Sequence, residues 1–285
     1  MKARTPLPAT CYACAARNGG VCGLLGCDSS AVVAERSQQT HYDRGDELAL
    51  QGDASDRVGI IASGLVKVSL LTLEGEYHLL QILKPGQIVG DICKPENTFS
   101  WEAATAARIC WINRKTLDTI MQDQPRVYRA YLQVTARQLE DHRLWAASMR
   151  GRNTLQRIAF WVLQQLAAPR DGRTEVVRIE LTRRDLASLL DMSVETLSRG
   201  LHQLSDRGAI RLPAPDAIEV VNTVKLRLHA RCEERHVSKV LNYSDPATRG
   251  DNPFCISRCI RSCGNPPVTA GFRRTQTART GIRCN

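Results

Sequence analysis

No stretch of this 285-residue chain approaches the roughly 18 to 20 consecutive apolar residues needed to span a bilayer, and the amino terminus lacks the hydrophobic core of a signal peptide. The sequence therefore predicts no membrane partner and a cytoplasmic location. It also lacks a fixed-period repeat, a Gly-rich dinucleotide-binding unit and any substrate-pocket motif, so neither a solenoid nor a nucleotide-dependent enzyme is indicated. Charge is not one-sided either: 39 basic residues stand against 29 acidic ones, a net +10 that suits a polyanion without identifying one. Cysteine, by contrast, is plentiful. Eleven in a chain with no export signal point to metal or redox chemistry rather than to a disulfide framework.

The most structured signal is Leu181 to Ile210. Thr182 is placed to cap a first helix, with Asp185 three residues on in a short-armed capping box, and Leu186, Ala187, Leu189 and Leu190 give that helix one apolar side. Asp191 and Met192 interrupt the pattern, Ser193 caps a second helix, and Gly208 suits its end. Two helices joined so tightly must cross, which is a helix-turn-helix. In the second, Val194, Leu197, Leu201 and Leu204 fall at offsets of three, four and three, leaving Glu195, Ser198, Arg199 and His202 on another face. Arg grips guanine with two hydrogen bonds, Glu accepts from cytosine, and Ser serves either role. Double-stranded DNA is the predicted partner, read by Glu195, Ser198 and Arg199. The flanks EVVRIEL (175–181) and RLPAPDAIEVV (211–221) read as strand, and as strand, turn and strand, which makes the domain a winged helix.

Upstream, short apolar runs from Tyr42 to about Arg114 are punctuated by glycines and separated by turns at about seven to eleven residues, the rhythm of an antiparallel barrel or jelly roll. Residues 116–149 then run without an internal glycine, with Pro125 near a break between a short helix and a long one. Val127, Tyr131, Val134, Gln138, Asp141 and Trp145 form one row, and Tyr128, Leu132, Thr135, Leu139, His142 and Met149 a second. Such a helix can lie on its own barrel and pair with a partner. The expected fold is α+β, in five parts: a cysteine-rich segment (1–30), a β-roll sensor domain (31–115), a dimerisation helix (116–149), a winged helix-turn-helix (150–232) and a largely disordered basic tail (233–285). The tail holds nine Lys or Arg against four acids. Residues 1–30, with Cys11, Cys14, Cys22 and Cys27 among small residues, show little hydrophobic periodicity and read as a segment that a ligand must order.

A cysteine segment, a β-roll, a long helix and a winged helix in that order resemble the CRP/FNR family of dimeric bacterial transcription regulators, over about residues 11 to 230. The most specific stretch is VETLSR (194–199), similar to the recognition helix of the FNR branch. The resemblance implies base reading by Glu195, Ser198 and Arg199, a TTGAT-N4-ATCAA-like palindrome, a homodimer and contact with RNA polymerase. It places the dimer seam at Leu139 and His142. The cyclic-nucleotide branch pairs Gly-Glu with a following Arg-Ser or Arg-Thr; here Gly90-Asp91 is followed by Phe99-Ser100-Trp101, so no cyclic nucleotide is expected. Cys11, Cys14 and Cys22 form C-x2-C-x7-C, with Arg17 in the loop, and resemble the cluster-binding segment of iron-sulfur oxygen sensors; Cys110 matches that group's fourth ligand, with Cys27 as its rival. The implied cofactor is an oxygen-labile [4Fe-4S] cluster. Zinc on the same thiolates, a thiol redox switch, or an iron-sulfur redox enzyme are the alternatives.

Overall fold

The computed structural model describes residues 7–166 and 175–231; the basic tail expected at 233–285, with Cys255, Cys259, Cys263 and Cys284, lies outside the described residues. Two four-stranded antiparallel sheets form the roll. One runs in the order β1 (Gln38–Tyr42), β8 (Ala107–Asn113), β3 (Arg57–Ser63), β6 (Ile88–Val89). The other is β2 (Glu47–Ala49), β7 (Ser100–Ala103), β4 (Val66–Leu71), β5 (Tyr77–Leu83). Side chains alternate across a strand, and β8 shows the result: Ala107, Ile109 and Trp111 point into the space between the sheets with Ile61, Val66, Leu83 and Trp101, while Arg108, Cys110 and Ile112 take the outer face.

That outer face is covered by helices. Arg114–Asp123 (α4) follows β8 directly, capped by Asn113, and Pro125 opens the long helix α5 (Pro125–Met149) at a first-turn position that needs no N–H donor. Both expected rows on α5 exist. Val127, Ala130, Tyr131 and Val134 are buried against the roll, whereas Tyr128, Leu132 and Leu139 remain about half exposed at 49%, 47% and 48%. Gln138 docks the helix further, its Oε1 accepting from Ile88 N at 2.9 Å and its Nε2 donating to Ile88 O at 3.2 Å. Beyond it, Trp145 and Met149 pack against the carboxy-terminal core.

The amino-terminal segment differs from its sequence reading. It forms short helices, α1 (Ala9–Tyr12), α2 (Val21–Leu24) and α3 (Cys27–Glu35), with a 3-10 turn at Ala15–Arg17. Its anchors are its own: Ala16, Val21, Leu25 and Val33 join Val58, Ile60 and Ile112 on the outer face of the roll. Small residues make this possible. A Cβ on Gly20 would stand 2.3 Å from the Gly86 Cα, so the two backbones meet only because neither residue has a side chain.

The carboxy-terminal domain begins with α6 (Thr154–Gln165), opened by a capping box between Asn153 and Gln156. A three-stranded sheet in the order β10 (Ile210–Ala214), β11 (Ala217–Val220), β9 (Glu175–Arg178) forms the wing, around α7 (Arg183–Leu189), α8 (Val194–Asp206) and α9 (Thr223–Ala230). Leu186, Leu190, Leu197, Leu201 and Leu204 are 0 to 2% exposed, each worth roughly 1.5 to 3 kcal/mol of burial.

Candidate functional site

Each helix of the helix-turn-helix starts where its cap directs. Thr182 Oγ1 accepts from Asp185 N at 3.0 Å, and Ser193 Oγ accepts from Thr196 N at 3.2 Å. The turn between them is held by a residue that the sequence did not single out. Arg157, on α6, donates from Nη1 to the carbonyls of Leu190 and Asp191, both at 3.2 Å, and to Asp191 Oδ2 at 3.0 Å. It thereby neutralises the carboxy-terminal end of α7 where Asp191 takes a left-handed φ of 55°. Gly200 lets α6 lie close to α8: a Cβ there would meet Ile158 Cδ1 at 2.3 Å.

Glu195, Ser198, Arg199 and His202 are all exposed on one side of α8, opposite buried Leu197, Leu201 and Leu204. Val194, assigned by periodicity to the apolar stripe, is instead 40% exposed, because the first turn overhangs the core. Hydrogen bonds from first-turn backbone and the Ser193 hydroxyl, ahead of the charge of Arg199, hold the Glu195 carboxyl below its usual range. At neutral pH this face therefore offers an ionised acceptor, a hydroxyl and a guanidinium. The Asp185 carboxylate departs from the expected capping box. It takes the Thr182 hydroxyl at 2.7 Å and the Lys67 ammonium of the roll at 3.3 Å.

The structure brings the four expected cysteine ligands towards one another. Cys11 lies in α1, Cys14 precedes the 3-10 turn, Cys22 lies in α2, and Cys110 is on the outer face of β8. Cys14, Cys22 and Cys110 border the same apolar cluster. Cys14 Sγ faces Ala62 O at 3.8 Å, and Gln39 Nε2 donates to Cys110 Sγ at 3.5 Å. Burial, followed by the charges of Cys110, Cys14 and Cys11, pushes the Cys22 thiol up to about 12. Burial also raises Cys11, with the charge of Cys14 adding to it, and Cys110, where the charges of Cys14 and Cys11 add to it. Among the described residues, no three His, Cys, Asp or Glu side chains stand close enough to hold one metal ion. The two observations agree if the thiols are grouped but spread. Four sulfurs at 2.3 Å around a single tetrahedral zinc would stand only about 3.8 Å apart, whereas sulfurs on separate irons of a cluster stand farther apart. As a donor set, four thiols have the chemistry that either group takes. Cys27 opens α3, but its side chain lies outside the described atoms; Cys93 is exposed beyond β6.

On the inner side of the roll, Trp101 of β7 fills the interior, with Phe99 edge-on at 6.5 Å.

The cyclic nucleotide-binding domain family matches residues 39–124, and the Crp-like helix-turn-helix domain family matches residues 156–228. A probable transcriptional activator of Rhizobium leguminosarum bv. viciae is 27% identical over 210 residues, 73% of this chain and 88% of that protein. The transcriptional activator protein FnrL of Cereibacter sphaeroides is 24% identical over 224 residues, 76% of this chain and 90% of that one. Among solved structures, FixK2 of Bradyrhizobium japonicum superposes with a TM-score of 0.60 at 20% identity, covering 69% of this chain and 98% of its own. Among the described residues, no helix is long and apolar enough to cross a membrane.

Proposed function

From a cyclic nucleotide-binding domain followed by a Crp-like helix-turn-helix domain, we propose that the chain is an oxygen-responsive transcription regulator of the CRP/FNR type, binding a TTGAT-N4-ATCAA-like palindrome as a homodimer. The observation that carries this reading is that Cys14 and Cys22 of the amino-terminal segment border the same apolar cluster as Cys110 of β8, nearly ninety residues on, with Cys11 near enough for its charge to reach Cys22. Those four thiolates would hold a [4Fe-4S] group, which when bound supplies an oxygen-labile tie between the amino-terminal segment and β8.

The residues of the chain do the rest. Cys110 fixes the site to the sheet that α5 covers, so the segment, β8 and α5 share one packed layer. The exposed row Tyr128, Leu132 and Leu139 supplies the apolar seam of a dimer, with His142 half-buried one turn on. Glu140 and Asp141 beside the seam bring like charges near each other across the two-fold axis, which makes pairing sensitive to small changes in α5 alignment. In the dimer the two α8 helices reach successive major-groove faces about 34 Å apart, with Glu195, Ser198 and Arg199 against base edges. A regulator so bound works from the bacterial cytoplasm through RNA polymerase. The Ser100-Trp101 sequence argues against a cyclic nucleotide effector.

An anaerobic absorbance spectrum followed through air exposure, paired with a gel shift on the palindrome, tests both halves. Brown protein that bleaches in air and then loses its DNA is expected. Colourless protein holding zinc, and binding DNA equally before and after air, would overturn the oxygen-sensing half.

A further inference from the structure

Two guanidinium groups beside the cysteines have buried hydrogen-bond donors with nothing to bond. Arg17 Nη1 and Arg108 Nε are both shielded from solvent, and neither has a hydrogen-bond partner among the described residues. Leaving a donor in this state is costly, the more so when the group is charged. Such pairs of orphans are uncommon in folded proteins and call for an acceptor.

Their positions identify where that acceptor belongs. Arg108 and Cys110 are two residues apart on β8, hence on the same outer face, with Arg108 opposite His41 of β1 and Ser63 of β3. Arg17 ends the 3-10 turn between Cys14 and Cys22, and its backbone is pinned there: a Cβ on Gly23 would stand 2.0 Å from Arg17 O. One cation therefore comes from the segment and one from the sheet. Among the described residues neither arginine is in an ion pair with a carboxylate.

An iron-sulfur group on four thiolates carries net negative charge, and its sulfurs accept hydrogen bonds. Cations and N–H donors near such a group favour its more reduced, more negative form. We propose that Arg17 and Arg108 are charge partners of the cysteine-bound group, their orphaned donors bonding its sulfurs and setting its redox poise and its resistance to oxygen. This deepens the iron-sulfur reading and rests on it.

The test uses the full chain, purified and reconstituted without oxygen, as wild type, Arg17→Gln, Arg108→Gln and Arg108→Lys. Iron, acid-labile sulfide, midpoint potential and the rate of bleaching at fixed dissolved oxygen are measured for each. Both glutamine variants should shift the potential to more negative values and bleach at least threefold faster. Arg108→Lys, which keeps the charge but not the Nε–H, should fall between wild type and Arg108→Gln. A merely structural arginine would change yield or melting temperature without moving the potential. Glutamine variants with the wild-type potential and bleaching rate, on a fully loaded protein, would remove the arginine assignment alone. Wild type without iron or sulfide would remove the iron-sulfur reading itself.

Discussion

Arg199 sits in the second turn of α8 with its guanidinium exposed and its backbone fixed by buried Leu197 and Leu201 on either side. Arg199→Ala should cost about 1 to 3 kcal/mol per half-site and relax discrimination at one base pair, read by gel shifts on operators with single substitutions. A loss equal on every sequence would instead assign Arg199 to phosphate. The exposed polar face of α8 was legible in the sequence because a 3.6-residue period separates Leu197, Leu201 and Leu204 from Glu195, Ser198 and Arg199 without knowledge of the rest of the fold. Arg157 was not legible. Its acceptors at Leu190 and Asp191 are more than thirty positions away and converge on one guanidinium only after the turn has formed. The four cysteines were readable as a set by spacing and resemblance, but the buried donors of Arg17 and Arg108 carry no sequence signature.

At the scale of elements, the amino-terminal segment is held by a backbone contact that composition disguised. Glycine and alanine there read as the absence of a core, whereas Gly20 against Gly86 is what allows Ala16 and Val21 to reach the roll. Gly20→Ala forces a Cβ into the Gly86 backbone, which has no side chain to move aside, and should cost about 1 to 3 kcal/mol by overpacking. Iron bound per chain should fall although all four cysteines remain, and the loss should show in metal analysis alongside a lowered melting temperature. An unchanged iron content would mean that the segment reaches β8 without this contact. The long helix was easier to foresee. Its two rows, one buried at Val127, Tyr131 and Val134 and one exposed at Tyr128, Leu132 and Leu139, follow directly from three-four spacing.

At the scale of the whole molecule, the roll and the DNA-binding domain share an ion triad in which Lys67 and Asp185 are buried and Glu102 is partly exposed. Lys67 on β4, 7% exposed, contacts Glu102 Oε1 at 2.5 Å and Asp185 Oδ2 at 3.3 Å, while Ser188 Oγ on α7 accepts from Leu79 N of β5 at 2.9 Å. Burial alone would lower the Lys67 pKa, but the hydrogen bond to Glu102 and the charge of Asp185 outweigh it and leave it raised. A raised lysine contributes its full stability below the unfolded value of about 10.4 and loses it as pH climbs through the folded value. Lys67→Met strands two carboxylates and should cost about 3 to 5 kcal/mol in denaturant unfolding. The gap between wild type and variant should not shrink between about pH 6 and 9 through titration of Lys67 itself, and should close only above about pH 10.4. The clasp between Gln138 and Ile88 has a mechanical consequence. Upstream of it α5 is embedded in the roll, and downstream its Trp145 and Met149 belong to the other core, so Gln138 is a fulcrum. The arm from Gln138 to Met149 is about 16 Å long, and a tilt of about 10° at the clasp swings its far end by roughly 3 Å. Distortion too small to unpack the roll is thus magnified into a displacement comparable to a hydrogen-bond length where the arm enters the DNA-binding domain.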